Sequence, residues 1–168
     1  NVLTTGLENT LIGGLAGDAL TDADSNVAVG KSALSTDTLG SRSTAIGTAA
    51  LYTQNFTSAT NSYNTAVGSQ AGVAVTTGIQ NTLIGAQAGD ALTDADRNVA
   101  LGYNSLTTNT VGSRSVAIGT SALSTQNPAS AVDMYNVAVG DDCGKLITTG
   151  VQNTLIGGLA GDALTDAD

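Results

Sequence analysis

A five-residue pattern of apolar and polar positions recurs along the chain. It reads Asn or Ser, a variable residue, Ala or Leu, an aliphatic residue, and Gly. Nine copies of this pentad begin at Asn9, Asn26, Ser43, Asn64, Asn81, Asn98, Ser115, Asn136 and Asn153. The intervals between successive starts are 17, 17, 21 and 17, and the same four intervals then repeat. Repetition at a short, fixed period indicates a repeat architecture.

The four intervals together define a larger, 72-residue repeat. Residues 1–72 are identical to residues 73–144 at 45 of 72 positions, and residues 145–168 begin a third copy. We therefore interpret 1–168 as a single repeat domain with super-repeats of approximately 1–72 and 73–144 and a partial one at 145–168. We expect it to be a segment of a longer array.

Each pentad predicts a short β-strand that ends at a glycine. The fourth position is always Ile, Val or Leu, and β-branched residues suit a pleated strand. The glycine predicts a corner with positive φ or a close backbone approach. These glycines are Gly13, Gly30, Gly47, Gly68, Gly85, Gly102, Gly119, Gly140 and Gly157. Because a helical hairpin repeat needs about 34 residues, rungs this short predict an all-β fold. That fold is a parallel β-solenoid, or β-roll, of nine rungs with 17/17/21/17-residue periodicity.

Two polar columns are expected along the stack of rungs. Asn opens seven of the nine pentads, which predicts an Asn ladder with amides bonded up and down the stack. Thr recurs at the thirteenth position of each ordinary rung and predicts a second ladder, interrupted by Asn55 and Asn127 in the long rungs. At about 4.8 Å per rung, nine rungs give a rod roughly 43 Å long.

The third pentad position suggests that the rod associates laterally. Strand residues alternate between faces, so we expect positions two and four to point inward and position three outward. Position three is always Ala or Leu, with Leu11, Leu83 and Leu155 at 72-residue spacing. A strand that is apolar on both faces is normally covered on both, and further copies about a symmetry axis are the simplest cover. The alternative is that exposed Ala is merely tolerated.

The pentads also carry a family resemblance. The segments Asn26–Val–Ala–Val–Gly30, Asn64–Thr–Ala–Val–Gly68 and Ser115–Val–Ala–Ile–Gly119 resemble the motif of YadA-type heads of trimeric autotransporter adhesins. The longer segment Asn98–Val–Ala–Leu–Gly–Tyr–Asn–Ser–Leu106 is similar to phage tail-fibre repeats. The resemblance implies a trimeric, left-handed β-roll that spaces or displays adhesive surfaces. It brings no catalytic residue, and both rung lengths of this chain exceed that of the adhesin heads.

Composition removes several function classes. There are 14 acidic and 5 basic residues, for a net charge of −9, and the basic residues are scattered along the sequence. We therefore expect no nucleic-acid partner. No apolar run approaches the length of about 18 residues that marks a membrane-spanning helix, so no membrane insertion is expected. Arg42, Arg97 and Arg114 lie next to pentad starts, and we expect them to pair with the Asp-rich corners of an adjacent rung or chain.

The sequence predicts that the chain is not an enzyme. It contains no His, which excludes His-based catalysis and His metal ligands within the chain. Its single Cys, Cys143, occupies a position that is usually Ala in the other rungs, which predicts a small buried filler. The densest unrepeated carboxylates are Asp141 and Asp142. They adjoin in sequence, so they would face opposite sides of a strand.

The segment Gly–Asp–Ala–Leu–Thr–Asp–Ala–Asp occurs at 17–24, 89–96 and 161–168. Its carboxylates are candidate oxygen ligands for Ca²⁺, the only cofactor considered. In the first two copies they are Asp18, Asp22, Asp24, Asp90, Asp94 and Asp96. The spacing does not match an EF-hand loop. The alternative is a set of solvated corner residues that keep the protein soluble.

The two 21-residue rungs each carry an insertion relative to the ordinary rungs, within 52–63 and 124–135. Bulky side chains gather there, namely Tyr52, Phe56, Tyr63, Met134 and Tyr135. Exposed aromatic residues on protruding loops are candidate contacts for a glycan or a protein receptor. Alternatively, the inserted segments fold back over the rod or contact a neighbouring chain.

Together these features favour a structural or adhesive segment of an extracellular fibre, on a phage tail or a bacterial surface. We expect a homotrimer at the virion or cell surface, with end-to-end stacking of copies as a further option. The alternatives are a self-assembling filament without a receptor and a Thr-ladder solenoid that binds ice or another ordered surface.

Overall fold

The described part of the chain, residues 4–166 of a computed structural model, forms a parallel β-solenoid. It has thirteen short strands and no helix. The strands are β1 (Thr10–Ile12), β2 (Val27–Val29), β3 (Gly40–Ser41), β4 (Thr44–Ile46), β5 (Thr60–Asn61), β6 (Thr65–Val67), β7 (Thr82–Ile84), β8 (Val99–Leu101), β9 (Gly112–Ser113), β10 (Val116–Ile118), β11 (Val132–Asp133), β12 (Val137–Val139) and β13 (Thr154–Ile156).

Nine of these strands are the pentads, and they form one parallel sheet. Its order is β1-β2-β4-β6-β7-β8-β10-β12-β13, so each rung pairs with the next rung in sequence. Equivalent positions lie opposite each other; for example, Leu11 pairs with Ala28, which pairs with Ala45. The predicted β-solenoid of nine rungs is confirmed. Each long rung adds a small second sheet, β3 with β5 and β9 with β11.

The predicted orientation of the pentads is wrong. Position three points into the solenoid, where it is buried in rungs two to eight and partly buried at Leu11 and Leu155. Positions two and four lie at the surface, including Ile84 and Leu101. Four of the nine strands are apolar at all three residues, and in the other five the only polar residue is the Thr at position two, so alternation alone indicates only weakly which face is inside. The interior accepts Ala at position three in six rungs and Leu in three, and the Thr, Val, Ile and Leu side chains of positions two and four remain outside.

Leu83 illustrates why three rungs have Leu at position three. The ninth position of the same rung is Gly89, and a Cβ there would lie 2.8 Å from a methyl of Leu83. In the next rung the sizes are exchanged, because Ala100 occupies position three and the buried Leu106 the ninth position. Leu11 and Leu155 are likewise accompanied by glycine at the ninth position. The Leu repeat therefore fills the core and does not mark an external contact.

The glycine at the end of each pentad is required by two constraints. Its φ lies between +124° and +143° in all nine rungs, a region that other residues rarely adopt. The rungs also stack closely at this corner. A Cβ on Gly30 would lie 2.6 Å from the carbonyl oxygen of Gly47 in the next rung. Both predicted reasons for the glycine, positive φ and close approach, are confirmed.

Asn side chains join successive rungs, although mostly through backbone groups. The Oδ1 of Asn26 accepts a hydrogen bond from the backbone N–H of Ser43 at 2.8 Å. Its Nδ2 donates to the carbonyl of Gly40 at 2.9 Å. Direct amide-to-amide bonds occur between Asn81 and Asn64 and between Asn153 and Asn136. The Asn column is therefore real, but its usual partner is the peptide group of the neighbouring rung.

The two Ser-initiated rungs replace the missing amide with a buried glutamine. Gln54 Nε2 donates to Ser43 Oγ at 2.8 Å, and its Oε1 accepts from Asn64 Nδ2 at 2.9 Å. Gln126 contacts Ser115 and Asn136 in the same way. The glutamine thus bridges the gap that serine leaves in the Asn column.

The Thr column is a second ladder. The hydroxyl of Thr21 donates to the carbonyl of Thr38, and that of Thr93 donates to Thr110, both at 3.1 Å. Asn55 and Asn127 continue this column by accepting the hydroxyl bond of the preceding Thr.

Residues 4–166 include no helix capable of crossing a membrane.

Candidate binding surface

The residue immediately before each pentad defines an exposed corner of the solenoid, which we call the corner column. Its members are Glu8, Ser25, Arg42, Tyr63, Gln80, Arg97, Arg114, Tyr135 and Gln152. None is glycine, yet all nine have φ between +51° and +63°. In most rungs the backbone N–H bonds to the previous rung, as from Arg97 to the Ile79 carbonyl at 3.0 Å. The neighbouring rung thereby holds a left-handed conformation that disfavours most side chains.

The corner column brings three of the five basic residues of the chain into one line. Arg42, Arg97 and Arg114 are far apart in sequence, but rung stacking separates neighbouring column members by only about 4.8 Å. From Arg42 to Tyr135 the column spans five steps, or roughly 24 Å. The sequence-based expectation of scattered basic residues is therefore wrong for the arginines.

Two arginines of the column stack against tyrosines of the following rung. The Arg42 guanidinium carbon lies 5.8 Å from the centre of the Tyr63 ring, and Arg114 lies 5.7 Å from the Tyr135 ring. This is the distance range of cation–π contacts. Tyr63 and Tyr135 remain 48% and 49% exposed. The same arginine–tyrosine unit thus occurs twice, four rungs apart.

The arginines contact neighbouring side chains through Nε. Arg42 Nε donates to Asn61 Oδ1 at 3.1 Å, and Arg97 Nε donates to Gln80 Oε1 at 2.8 Å. Arg114 Nε lies 2.9 Å from Asp133 Oδ1. That contact is an ion pair by distance, although its N–H direction does not meet the geometry of a hydrogen bond.

Over residues 4–166 the only other ion pair is Lys145 with Asp142. The expected pairing of the arginines with Asp-rich corners is therefore absent within the described chain. Arg42 and Arg97 contact neutral amides instead, and no bond from their Nη atoms to another described residue is found.

The inserted segments place their bulky residues in two different environments. Phe56 and Met134 are buried, so these side chains fold back onto the rod. Tyr52, Tyr63 and Tyr135 are exposed, and so are residues 57–59 and 129–131 at the tips of the insertions. Receptor contact by the exposed tyrosines stays a prediction, whereas Phe56 and Met134 are not accessible for it.

The Asp-rich corners bond to neighbouring rungs. Asp22 and Asp94 accept from the hydroxyls of Thr5 and Thr77, at 2.5 and 2.6 Å. Three further carboxylates accept bonds of the same kind: Asp24 from the Leu7 N–H, Asp96 from the Ile79 N–H, and Asp90 from the Thr107 hydroxyl. Asp18 is partly buried, and its Oδ1 has no hydrogen-bond partner among the described residues.

Within residues 4–166, no three acidic or Cys side chains are grouped to share a metal ion. Residues 167 and 168, which end the third copy of the Asp-rich segment, lie outside the described residues.

A buried carboxylate escaped the sequence analysis. Asp37 is fully buried and accepts hydrogen bonds from Gln54 Nε2 at 2.5 Å and from the Gly40 N–H at 2.9 Å. Burial raises the pKa of Asp37 above its usual value, although these hydrogen bonds oppose the rise. The equivalent residue in the next super-repeat is Asn109, which is also buried. The difference between Asp37 and Asn109 at equivalent positions of the two super-repeats is the sequence signal that could have identified this site.

Cys143 is buried, as its position in the rung predicted. Its Sγ lies 3.3 Å from the carbonyl oxygen of Leu155, and burial raises the pKa of the thiol. A thiol with a raised pKa is a poor nucleophile at neutral pH, because the thiolate is the reactive form.

Comparisons with protein-family models, with curated proteins and with solved structures found no match for this chain.

Proposed function

We propose that the chain is a structural and adhesive segment of an extracellular fibre, assembled from three parallel copies. The unbroken nine-stranded parallel ladder supports this proposal, because it makes a stiff rod whose length is set by the number of rungs. In a solenoid each rung contacts mainly its neighbours, so surface features recur at the repeat spacing. The exposed arginine–tyrosine units recur in this way, at equivalent positions of the first and second super-repeats.

The outward face of the nine-stranded sheet supports lateral assembly. We call this surface the outer strand face; it consists of pentad positions two and four, which are Thr, Leu, Val or Ile in every rung. Ile46, Ile84 and Leu101 are 38%, 36% and 43% exposed there. Apolar parallel sheets are normally covered on both faces. A second and a third copy, arranged about an axis parallel to the rod, would cover this face in every rung.

The native mass tests this assembly. We expect three times the chain mass of 16.5 kDa for the purified protein. The double variant Ile84→Glu/Leu101→Glu introduces charges on the outer strand face and should give a monomer. The control Thr48→Glu/Thr120→Glu adds the same charge at exposed positions outside that face and should stay trimeric. A monomeric wild-type chain, or identical masses for both variants, would contradict the proposed assembly.

The Thr column gives little support to the ice-binding alternative. The hydroxyl groups of Thr21, Thr76 and Thr93 donate to carbonyl oxygens of the following rung. Their protons are therefore used inside the ladder. A regular array of free hydroxyl donors facing water is not formed by these residues.

A further inference from the structure

We propose that the corner column binds an acidic polysaccharide, one whose sugars carry carboxylate or sulfate groups, laid along the rod axis. This inference names the ligand class for the adhesive role proposed above and rests on that role. The binding segment is centred on Arg42, Tyr63, Gln80 and Arg97, which occupy four successive rungs. Arg114 and Tyr135 extend it in the same direction.

The charge of the column is the first argument. Arg42 and Arg97 form no ion pair within residues 4–166, although the chain has 14 acidic side chains and a net charge of −9. Unneutralised guanidinium groups in such an acidic protein indicate an anionic partner. The two Nη atoms of a guanidinium form a planar pair of donors that matches carboxylate or sulfate oxygens.

The second argument is that these donors are held in place before a ligand arrives. Arg42 is fixed by Asn61 at 3.1 Å and by the Tyr63 ring, and Arg97 is fixed by Gln80 at 2.8 Å. These contacts use Nε and the face of the guanidinium, so the Nη edge remains available. Side chains that are already ordered lose less conformational entropy on binding, which favours affinity.

The third argument is the chemistry between the two cations. Tyr63 offers an exposed aromatic ring, which suits the apolar face of a sugar, and Gln80 offers an exposed amide for hydroxyl groups. Arg42 and Arg97 are three rungs apart, or roughly 14 Å. The rise per rung is similar to the length of one sugar unit in an extended chain. A polysaccharide with acidic groups on some of its units can therefore follow the column in step with the rungs.

A single-stranded nucleic acid fits these observations less well. It carries a charge on every nucleotide and is held by a continuous basic groove. In the column two neutral side chains separate the two unpaired cations, and the third cation, Arg114, is already paired with Asp133. Sparse positive charge favours a ligand with sparse negative charge.

Titration calorimetry with defined oligosaccharides tests the proposal. The probes are a hyaluronan octasaccharide, which carries carboxylates on alternate sugars, its carboxyl-reduced neutral form, and a chondroitin sulfate octasaccharide. The test variant is Arg42→Gln/Arg97→Gln, because Gln80 shows that the column accepts glutamine. The control is Lys31→Gln/Lys145→Gln, which changes the net charge equally but lies off the column.

We expect the wild-type protein to bind the acidic octasaccharides and not the neutral form. The column variant should bind at least about tenfold more weakly, equivalent to about 1.4 kcal/mol, and the lysine control should bind like wild type. Chondroitin sulfate carries carboxylates on alternate sugars as hyaluronan does, and sulfates in addition, so equal binding of the two identifies carboxylate as the recognised group and tighter binding of chondroitin sulfate shows that sulfate is recognised as well.

Four results would overturn the proposal: no binding by wild type, equal loss in both variants, undiminished binding of the neutral form, or tighter binding of a short oligothymidylate. The native mass of the same samples separates this failure from failure of the fibre proposal. A trimer that binds no saccharide would support the fibre proposal and refute the ligand proposal. A monomer that binds the saccharide would support the ligand proposal and refute the trimeric fibre.

Discussion

The exchange of large and small residues in the core can be tested by moving one leucine within a rung. The double variant Leu83→Ala/Gly89→Leu converts the fifth rung to the arrangement of the sixth, where Ala100 and Leu106 occupy these positions. The prediction is that the two substitutions partly compensate, although each alone destabilises the protein. It addresses directly whether pentad position three faces the core.

The expected magnitudes follow from the packing. Leu83 is fully buried in the middle of the stack, so Leu83→Ala should lower the free energy of unfolding by about 2–5 kcal/mol. A Cβ at Gly89 would lie 2.8 Å from methyl groups of both Leu83 and Leu92. Gly89→Leu alone should therefore cost about 1–3 kcal/mol through overpacking. Its φ of +56° adds about 1–2 kcal/mol for a residue with a Cβ.

In the double variant the new leucine enters the space that Leu83 leaves, so most of the cavity and overpacking terms disappear. The left-handed backbone and the contact with Leu92 remain. We therefore expect a coupling free energy of about 1–3 kcal/mol, with the double variant more stable than the sum of the single effects predicts.

Urea denaturation followed by circular dichroism measures these free energies. All variants must be compared at one protein concentration, because the apparent stability of any chain that associates depends on concentration. Leu146→Ala, at an exposed leucine, is the control and should cost less than about 1 kcal/mol. A loss for Leu83→Ala as small as that of the control, or strictly additive effects in the double variant, would refute the inward orientation and the exchange.

Two further predictions concern the buried acid and the glycine corner. Asp37→Asn should stabilise the protein at pH 7 by about 1 kcal/mol, since it removes a buried charge at a position where the other super-repeat has Asn109. The pKa of Asp37 is raised on folding from 3.8, so its contribution to stability is full below that pH and is lost as pH rises through the folded pKa. The advantage of the variant over wild type should thus vanish in acid, and Asn109→Asp should show the reverse trend; pH-independent differences in thermal melts would contradict this. Gly85→Ala places a Cβ 2.6 Å from the Gly102 carbonyl oxygen at φ +130° and should cost at least about 3 kcal/mol, whereas Gly14→Ala meets no atom within 4 Å and should cost under about 1 kcal/mol. Similar urea midpoints for these two variants would contradict the close stacking of rungs.

The rung period and the strand positions were predictable because the pentad repeats nine times with an invariant glycine. Register followed from the same fact, since equivalent positions such as Ala28 and Ala45 must stack. Which side of the strand points into the core was not predictable in this way. Val27, Ala28 and Val29 are all apolar, and the only polar residue that marks the outside is the Thr at position two of five rungs. Side-chain size determines which face of the strand is buried. It depends on the residue at the ninth position of the rung, which lies outside the pentad.

The corner column was hidden for a different reason. Its residues have a left-handed backbone conformation, but none of them is glycine, the residue that usually signals such a conformation; Arg42 and Tyr63 are examples. The N–H bond to the previous rung, which holds this conformation at most column positions, exists only when the rungs are stacked. Alignment of the rungs on their pentads would have placed the three arginines in one column. The Nε contacts, which leave the Nη atoms available, required the structure.

The hydrogen bonds around the Asp-rich corners have a consequence for how the protein can change length. Thr5 bonds to Asp22 and Thr77 bonds to Asp94, so the same contact forms between rungs at the start of the first and second 72-residue blocks. The N–H groups of Leu7 and Ile79 meet Asp24 and Asp96 equivalently. Gain or loss of a whole block by recombination would recreate these contacts unchanged, so solenoids of different length can evolve without any new contact between rungs.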